Sequence, residues 1–348
     1  ALATPTVMLT ANDAVYTALV YAGASVTVTG GTAPVNPPNV VLEYFNSNDP
    51  IAENAIAAPT DVGTYWVRAF YAGNANNNPV TTSLLDFDVT PVALTAAATA
   101  DDKVYDATTA ATVNVTLTGV IAGDTVTGSA SGTFDDKNVG TGKTVNVGSV
   151  TLAGADAGNY TVGAAASTTA DITAFALTAT ATAADKVYDS TDNAAVTIAL
   201  ATVFAGDTVT GSAAGKFDDK NVGTGKTLNV GSVTLSGADA GNYTVGAAAS
   251  TTADITAFAL TATATAADKV YDSTDNAAVT IALATVFAGD TVTGSAAGNF
   301  DDKNVGAGKT VSVGSVTLAG ADAGNYTVGA AASTTADITA FALTATAT

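Results

Sequence analysis

The segment Ser236–Val245 reads Ser-Gly-Ala-Asp-Ala-Gly-Asn-Tyr-Thr-Val, and it recurs with only its first residue changed at Ala153–Val162 and Ala319–Val328. Asp and Gly favour a turn, and in an antiparallel sandwich a tyrosine that begins the next strand can bond the turn's backbone through its hydroxyl. The same Asp-x-Gly-x-Tyr-x-Val spacing occurs at Asp61–Val67. We therefore predict four versions of one β domain. The predicted structural residues are Tyr65, Tyr160, Tyr243, Tyr326, Gly63, Gly158, Gly241 and Gly324.

The repeat boundaries divide the chain into four domains of similar length. Residues 1–91 form a divergent first domain, and three copies of 83 residues follow at 92–174 (repeat 1), 175–257 (repeat 2) and 258–340 (repeat 3). Residues 341–348 repeat the opening of a copy, which predicts the first strand of a truncated further repeat. Repeats 2 and 3 differ at five positions only, which indicates a recent duplication.

The composition favours strands and excludes several kinds of chemistry. Thr, Val, Ala and Gly dominate, and there are only two Glu, which is typical of strands and turns. The chain has no cysteine and no histidine, so disulfides and thiolate metal sites are excluded and general-base catalysis loses its usual side chain. Since no nucleophile, base and orienting group recur together, we expect no enzymatic activity.

The net charge of −20 is spread over all four domains. Such a surface repels nucleic acid, and it keeps nearly identical β domains from associating. No apolar run approaches the roughly 18 residues that a membrane-spanning helix needs, so we expect no membrane span in this segment.

Hydrophobic periodicity predicts the fold class. Phe175, Leu177 and Ala179 alternate with threonine, as in a half-buried strand. At each copy boundary the inward-facing positions change parity without a Pro or Gly linker, for example between Ile255 and Phe258. We predict an all-β tandem array of small antiparallel domains, with an Ig-like β-sandwich favoured over a β-grasp-like sheet. Short joints predict an end-to-end rod of roughly 140 Å, since each domain of ten-residue strands spans roughly 35 Å.

Three motifs in order carry a family resemblance. They are Asp185-Lys-Val-Tyr-Asp189, Phe217–Lys226 and Leu235–Thr244, and they resemble the YDG repeat family of large bacterial surface proteins, many of them filamentous-haemagglutinin-like adhesins. The glycine of the family name is replaced in the three copies by Ala107, Ser190 and Ser273. The first domain is similar to bacterial Ig-like or MBG-like modules. The resemblance implies a stalk or spacer in an exported adhesin.

Carboxylates in predicted turns are candidates for calcium ligands. Calcium takes six to eight oxygens, and loops from neighbouring domains would supply them at a joint. Solvated turn carboxylates are the alternative, because Asp is favoured in turns for its bonds to the backbone. No other cofactor is expected. The candidates are Asp185, Asp189, Asp218 and Asp219, with the equivalents Asp102, Asp106, Asp135, Asp136, Asp268, Asp272, Asp301 and Asp302.

Three functions remain open from the sequence. The first is a non-enzymatic spacer of an extracellular bacterial surface adhesin or fibre, whose partners are the neighbouring domains of the same chain. The second is an adhesive module in which the first domain binds a host or surface glycan or protein, with Trp66 and Tyr71 as candidate glycan contacts. The third is a subunit that associates with itself into filaments by strand exchange.

Overall fold

A computed structural model describes residues 1–31, 39–49, 51 and 54–346. The chain is all-β and divides into two compact units, Ala1–Thr173 and Ala174–Thr348. Unit 1 contains the first domain and repeat 1, and unit 2 contains repeats 2 and 3. The all-β tandem array predicted from the sequence is therefore confirmed.

Strands of three to nine residues carry most of each domain, with shorter two-residue pairings between them. In the first domain these are β1 (Thr6–Ala11), β2 (Ala14–Val15), β3 (Ala24–Thr29), β4 (Val40–Phe45), β5 (Gly63–Tyr71), β6 (Val80–Thr81) and β7 (Leu85–Thr90). In repeat 1 they are β8 (Val92–Ala100), β9 (Lys103–Val104), β10 (Ala110–Ala111), β11 (Val113–Thr118), β12 (Thr127–Ser129), β13 (Gly132–Phe134), β14 (Gly140–Val147), β15 (Thr151–Ala153), β16 (Tyr160–Val162) and β17 (Thr168–Thr173).

Repeats 2 and 3 contain the same elements at equivalent positions. In repeat 2 they are β18 (Phe175–Ala183), β19 (Lys186–Val187), β20 (Asn193–Ala194), β21 (Val196–Ala201), β22 (Thr210–Ser212), β23 (Gly215–Phe217), β24 (Gly223–Val230), β25 (Thr234–Ser236), β26 (Tyr243–Val245) and β27 (Thr251–Thr256). In repeat 3 they are β28 (Phe258–Ala266), β29 (Lys269–Val270), β30 (Asn276–Ala277), β31 (Val279–Ala284), β32 (Thr293–Ser295), β33 (Gly298–Phe300), β34 (Gly306–Val313), β35 (Thr317–Ala319), β36 (Tyr326–Val328) and β37 (Thr334–Thr339). A short 3-10 turn precedes the tyrosine strand of each repeat, at Ala157–Asn159, Ala240–Asn242 and Ala323–Asn325.

Each repeat is built from one large and one small sheet plus a two-stranded ribbon. In repeat 2 the five-stranded sheet has the order β19-β27-β24-β23-β20, the three-stranded sheet β21-β18-β26, and the ribbon β22-β25. Repeats 1 and 3 have the same orders. Most pairs are antiparallel, but β18–β26 and β19–β27 are parallel. The domains are therefore mainly antiparallel, as predicted, but each repeat also contains these two parallel pairs, which the sequence did not predict.

The first domain shares the large-sheet order of the repeats. Its strands β2-β7-β5-β4 are connected as β19-β27-β24-β23 are in repeat 2. In this arrangement β5, which begins at Gly63, occupies the place of β24, which begins at Gly223. The segment Asp61–Val67 therefore corresponds to the start of β24 and not to the turn before the tyrosine strand β26. The prediction that it is a fourth copy of that turn is wrong, since sequence spacing alone does not distinguish the two strands.

Consecutive domains within a unit follow one another with a single residue between their strands. Pro91 separates β7 from β8, and Ala257 separates β27 from β28. Ala253 and Ile255 are buried before the second junction, and Leu260 is buried after it, so the inward face changes parity as predicted. The chain therefore passes from one domain to the next without a flexible linker.

The hydrophobic core of each unit continues across its junction. In unit 2, Tyr188 and Leu228 of repeat 2 form one buried cluster with Leu260 and Tyr326 of repeat 3. In unit 1 the cluster joins Tyr16 and Phe87 of the first domain to Leu94 and Tyr160 of repeat 1. Each buried cluster is thus shared by two consecutive domains and does not lie within one of them.

Residues 341–346 form no strand, although the sequence predicts one at 341–348; residues 347–348 lie outside the described part of the chain. The identical segment that begins at Phe258 pairs with β31 and β36 of its own repeat. A strand at this position therefore depends on partners from the same copy.

Two threonines occupy strained backbone positions, which leads to a stability prediction. Thr202 and Thr285 each have a φ of +68°, where a β-branched residue is unfavourable, and the equivalent residue of repeat 1 is Gly119. We expect Thr202→Gly and Thr285→Gly each to raise the unfolding free energy of unit 2 by about 0.5–1 kcal/mol, because relief of strain exceeds the entropy cost of glycine. Denaturant unfolding of the full chain measures this. Gly119→Thr is the matched control and should destabilise unit 1; equal stability of all variants would contradict the prediction.

Candidate interdomain joints

The joint between repeats 2 and 3 is centred on the buried carboxylate of Asp290. Its side chain is 0% exposed, and it lies in the loop before β32 of repeat 3. Its Oδ2 accepts hydrogen bonds from the hydroxyls of Tyr188 in repeat 2 and Tyr326 in repeat 3, each at 2.6 Å. Its Oδ1 accepts one from Nζ of Lys220 in repeat 2, also at 2.6 Å. One charged group of repeat 3 is therefore held by two side chains of repeat 2.

The surroundings of Asp290 favour its ionised form. Burial acts to raise its pKa, but the hydrogen bonds from Lys220, Tyr188 and Tyr326 outweigh burial and lower it. The hydrogen bond that Lys220 donates to Asp290, followed by its contact with Tyr188, raises the pKa of Lys220 above its ordinary value. A charged lysine bonded to a charged, desolvated carboxylate is the stronger class of hydrogen bond.

Aromatic rings surround this carboxylate. The ring of Tyr188 packs edge-on against Phe287 at 5.9 Å and against Tyr326 at 5.4 Å, measured between centroids. Nζ of Lys220 lies 5.8 Å from the centroid of the Tyr188 ring. The hydroxyl of Tyr326 also accepts the backbone N–H of Phe287 at 3.1 Å. These contacts exclude water from Asp290 and fix the loop that carries it.

A second polar contact crosses the same joint. Oδ1 of Asn325, a residue only 5% exposed, accepts the backbone N–H of Val222 at 2.9 Å. Its Nδ2 donates to Oδ1 of Asn221 at 3.1 Å. Because an unsatisfied buried amide is costly, these bonds specify how the domains meet.

The joint between the first domain and repeat 1 repeats this arrangement. Oδ2 of Asp124 accepts the hydroxyls of Tyr16 at 2.9 Å and Tyr160 at 2.5 Å. Oδ1 of Asn159 accepts the backbone N–H of Val62 at 2.8 Å. Asn159 also donates to Asp61 at 3.3 Å. Two joints in separate units thus share one hydrogen-bond pattern, although the first domain has diverged from the repeats.

The two joints differ in their positive charge. The first domain has Thr60 at the position that Lys220 occupies in repeat 2, two residues before the valine that bonds the asparagine. Asp124 is bonded by the two tyrosines alone among side chains of the described residues. The lysine is therefore an addition to a shared tyrosine and carboxylate contact.

The sequence predicts that each motif tyrosine bonds its own turn, but in the three repeats the hydroxyl bonds a distant loop instead. Tyr243 donates to Asp207 at 2.7 Å and accepts the N–H of Phe204 at 3.1 Å, so it bonds a loop more than 35 residues earlier. Tyr160 and Tyr326 do the same with their equivalent loops. Tyr65 of the first domain does bond its own turn, by donating to the carbonyl oxygen of Asp61 at 3.0 Å. The repeat tyrosines are 5% exposed.

The motif glycines have no steric requirement at three of the four predicted positions. A Cβ built on Gly158, Gly241 or Gly324 meets nothing within 4 Å, whereas one built on Gly63 lies 3.1 Å from the Tyr65 ring. The glycine that the turn requires comes four residues earlier, at Gly237, where φ is +122° and a Cβ would lie 2.2 Å from the carbonyl oxygen of Thr208. Gly154 and Gly320 are equivalent.

The structure does not bring the calcium candidates together. In repeat 2, Oδ1 of Asp185 accepts the N–H of Asp254 at 2.8 Å, and Asp189 is bonded by Lys186 at 2.7 Å. Lys226 pairs with both Asp218 and Asp219, at 3.4 and 2.7 Å. Their equivalents make the same pairs where they are described, as Lys103, Lys143, Lys269 and Lys309 show. Within the described residues, no group of three or more acidic, histidine or cysteine side chains could hold a metal ion.

Sequence reasoning did not find the central joint residues Asp124, Asp290 and Lys220. Asp290 resembles any other turn aspartate, and it lies 102 residues from its partner Tyr188. Two sequence features could have marked it. Phe287 comes three positions before Asp290, and Tyr326, which bonds it, follows 36 residues later. That spacing is the same between Asp124 and Tyr160.

The fold and the joints define a tandem β-repeat protein whose neighbouring domains pack through specific contacts. The YDG domain family matches residues 90–170, 173–253 and 256–336, and the chain belongs to this family. Comparison with curated proteins gave no match. No helix in the described part of the chain is long and apolar enough to span a membrane. The likeness of the first domain to Ig-like modules stays a prediction.

One solved structure similar to this chain consists of Sidekick-1 immunoglobulin domains 1–5. It is 10% identical, the alignment covers 95% of this chain and 79% of that one, and the TM-score is 0.21. At that score the likeness carries no argument about function or domain topology.

The turn that gives the family its name has a positive φ, which glycine adopts most easily, although none of the three copies has a glycine there. Ala107, Ser190 and Ser273 have φ values of +63°, +62° and +68°. In repeat 2 a lysine closes this turn: Nζ of Lys186 donates to Asp189 at 2.7 Å and to the carbonyl oxygens of Thr191 and Asn193, each at 2.9 Å. The lysine therefore links the two sides of a turn whose backbone has a positive φ.

The buried tyrosines of the joints predict a response to alkali. Burial, followed by the hydrogen bond to an aspartate, raises the pKa of Tyr16 and of Tyr326 from 10.0 to about 12. A raised folded pKa means that stability is full below pH 10 and is lost as the pH rises towards 12. We expect phenolate absorbance and loss of β structure to rise together in this window. Titration of both tyrosines near pH 10 with the fold intact would contradict the prediction.

Proposed function

We propose that this chain is a non-enzymatic spacer segment of a bacterial cell-surface adhesin or extracellular fibre, in which the number of repeats sets the reach. One observation carries the proposal: the joints of the two units hold successive domains with the same buried carboxylate, tyrosine pair and asparagine. A protein that only needed four independent domains would tolerate flexible linkers. The family membership and the three tandem copies support the same function.

The mechanism is geometric. One residue separates the strands of consecutive domains, and the hydrophobic core continues across the junction. Bending at a joint would expose apolar side chains and break hydrogen bonds to a buried charge, both of which are unfavourable. The distributed acidity keeps parallel copies of such a segment apart. Within each unit the second domain is therefore held in place against the first, and we propose that added repeats extend the chain in the same way.

Exact deletion of residues 175–257 tests this function. The deletion joins Ala174 to Phe258 and leaves the local sequence at the junction unchanged. We expect the maximum dimension from small-angle X-ray scattering to fall by roughly 35 Å, the length of one domain, and to rise by the same amount when a copy is duplicated. A change much smaller than this in both variants would contradict the spacer function.

Labelling of intact producing cells tests the location. An antibody against the repeats should stain intact and permeabilised cells equally if the segment is at the cell surface. Staining only after permeabilisation would contradict this part of the proposal.

An adhesive first domain is the second candidate, and an apolar cleft favours it. The cleft has a volume of about 290 Å³ and includes Leu19 and Val20, which are 72% and 59% exposed. Repeat 2 has Thr191 and Asp192 at these positions, and repeat 3 has the same pair. Tyr71 is fully buried, so it is not available to stack on a glycan, and an apolar protein segment fits the cleft better.

The change Leu19→Thr with Val20→Asp copies the repeat sequence into this loop. If the first domain is adhesive, the variant should lose cell binding that the parent chain shows. Cell binding that is absent in the parent, or unchanged in the variant, would contradict the adhesive function and leave the spacer function as proposed.

A further inference from the structure

In repeat 2, the face that repeat 3 packs against includes Tyr188, Lys220 and Val222, and we call it the covered face. Repeat 3 has the equivalent residues. Tyr271, Lys303 and Val305 follow Tyr188, Lys220 and Val222 by 83 residues. We call these three residues of repeat 3 the docking face. Since the surrounding sheet has the same strand order in both repeats, the docking face has the same architecture as the covered face.

The two faces differ in what contacts them. In repeat 2, Tyr188 is 1% exposed because Phe287 and Tyr326 of the next repeat pack on its ring. In repeat 3, Val305 is 54% exposed, and the neighbouring Phe341 and Leu343 are 61% and 87% exposed. Tyr271 and Val305 line a cleft of about 370 Å³. The docking face therefore combines an exposed Val305 with a half-buried Tyr271, beside the exposed side chain of Lys303.

We propose that the docking face binds the N-terminal face of another YDG repeat, which presents a buried aspartate, an asparagine and a tyrosine. This inference rests on the proposed function of the joints and names the partner of the exposed face. The two joints support it, since the equivalent faces of the first domain and of repeat 2 are each covered by such a repeat.

The chemistry of the face matches this partner group by group. The ammonium group of Lys303 pairs with the carboxylate, as that of Lys220 does with Asp290. The backbone N–H of Val305 donates to the asparagine amide, as that of Val222 does to Asn325. The hydroxyl of Tyr271 donates to the same carboxylate, and its ring packs against the partner's phenylalanine and tyrosine. The first domain of a second chain is a poorer partner. In its described residues its small sheet has only the strands β1 and β3 and lacks the tyrosine strand that the repeats have.

The experiment extends the full chain by one copy. A second copy of residues 258–340 is placed directly after Ala340, which reproduces the junction between Ala257 and Phe258. Tyrosine nitration followed by peptide mass mapping then compares Tyr271 with the internal reference Tyr188. In the original chain Tyr271 should react faster than Tyr188. In the extended chain its rate should fall to within about twofold of the Tyr188 rate, because nitration then requires the joint to open.

A control variant separates docking from tethering. In the added copy, the aspartate and asparagine that correspond to Asp290 and Asn325 are changed to alanine, and amide exchange confirms that the large sheet of that copy is folded. Tyr271 should regain its reactivity. If Tyr271 stays reactive beside a folded, unaltered added copy, the proposal is overturned.

The remaining outcomes also decide between hypotheses. Protection of Tyr271 in the original chain that increases with concentration, together with a dimer mass, would show that a second copy of the chain covers the face, and would overturn the proposal. Protection in the extended chain without an increase in length by scattering would contradict the spacer function and leave docking intact. An increase in length with Tyr271 still reactive would contradict docking alone.

Discussion

The change Asp290→Ala should loosen the joint between repeats 2 and 3 and lower the unfolding free energy of unit 2 by about 3 kcal/mol, because it leaves buried partners unsatisfied. Tyr188 and Tyr326 lose the acceptor of their hydroxyls, and Lys220 loses its carboxylate. Denaturant unfolding of the full chain measures the loss. Hydrogen exchange should locate it in β27 and β28, which flank Ala257.

Two matched variants show whether the effect comes from the joint. Asp192 pairs with Lys216 at 3.3 Å, and both side chains are more than 40% exposed, so Asp192→Ala should cost less than about 0.5 kcal/mol. Asp124→Ala removes the equivalent carboxylate of unit 1, where Thr60 stands in place of the lysine, and it should cost about 1–3 kcal/mol. If Asp290→Ala is no more harmful than Asp192→Ala, the carboxylate does not stabilise the joint.

The strands of the repeats could be predicted from local sequence because their signals are local. Alternation from Phe175 predicts a strand, and the structure has one at Phe175–Ala183. The change of parity between Ile255 and Phe258 follows from the same pattern, since successive side chains of a strand point to opposite faces. These features depend on residues within about ten positions of each other.

Strand order and the chemistry of the joint could not be predicted in this way. The parallel pair of Phe175 with Tyr243 joins residues that no periodicity connects. The bond from Tyr188 to Asp290 crosses a domain boundary, and a turn aspartate looks the same in sequence whether water or a neighbouring domain covers it. Long-range contacts of this kind require a structure or many related sequences.

The lysine pairs explain why the calcium prediction found acidic turns but no assembled site. The pairing of β24 with β27 shifts register between Gly223 and Lys226. Lys226, which lies opposite Ala253 just after this shift, reaches both Asp218 and Asp219. The sequence shows all three residues, but it does not show that the strand irregularity aims the lysine at the carboxylates. The charges in these turns are therefore paired within the domain.

The glycines of the tyrosine motif give the last test, because the structure reverses their predicted importance. We expect Gly237→Ala to destabilise repeat 2 by more than about 3 kcal/mol, since strain at a positive φ adds to a steric clash. At Gly237, φ is +122°, and the new Cβ would lie 2.2 Å from the carbonyl oxygen of Thr208. The carbonyl oxygen of Thr208 also accepts the backbone N–H of Asp239 at 3.3 Å. Moving it away from the new Cβ would therefore weaken this hydrogen bond.

Gly241→Ala is the matched control, four residues away in the same turn. Its Cβ meets nothing within 4 Å and its φ is not positive, so alanine should be tolerated within about 0.5 kcal/mol. Thermal unfolding of the two variants in the full chain, with the equivalent pair Gly320→Ala and Gly324→Ala in repeat 3, measures the difference. If Gly241→Ala is the more harmful change in both repeats, the turn is held by the conformation of the motif glycine and not by the close approach of Gly237 to the backbone of Thr208. In that case the loop that carries Asp207 would not depend on this contact for its position.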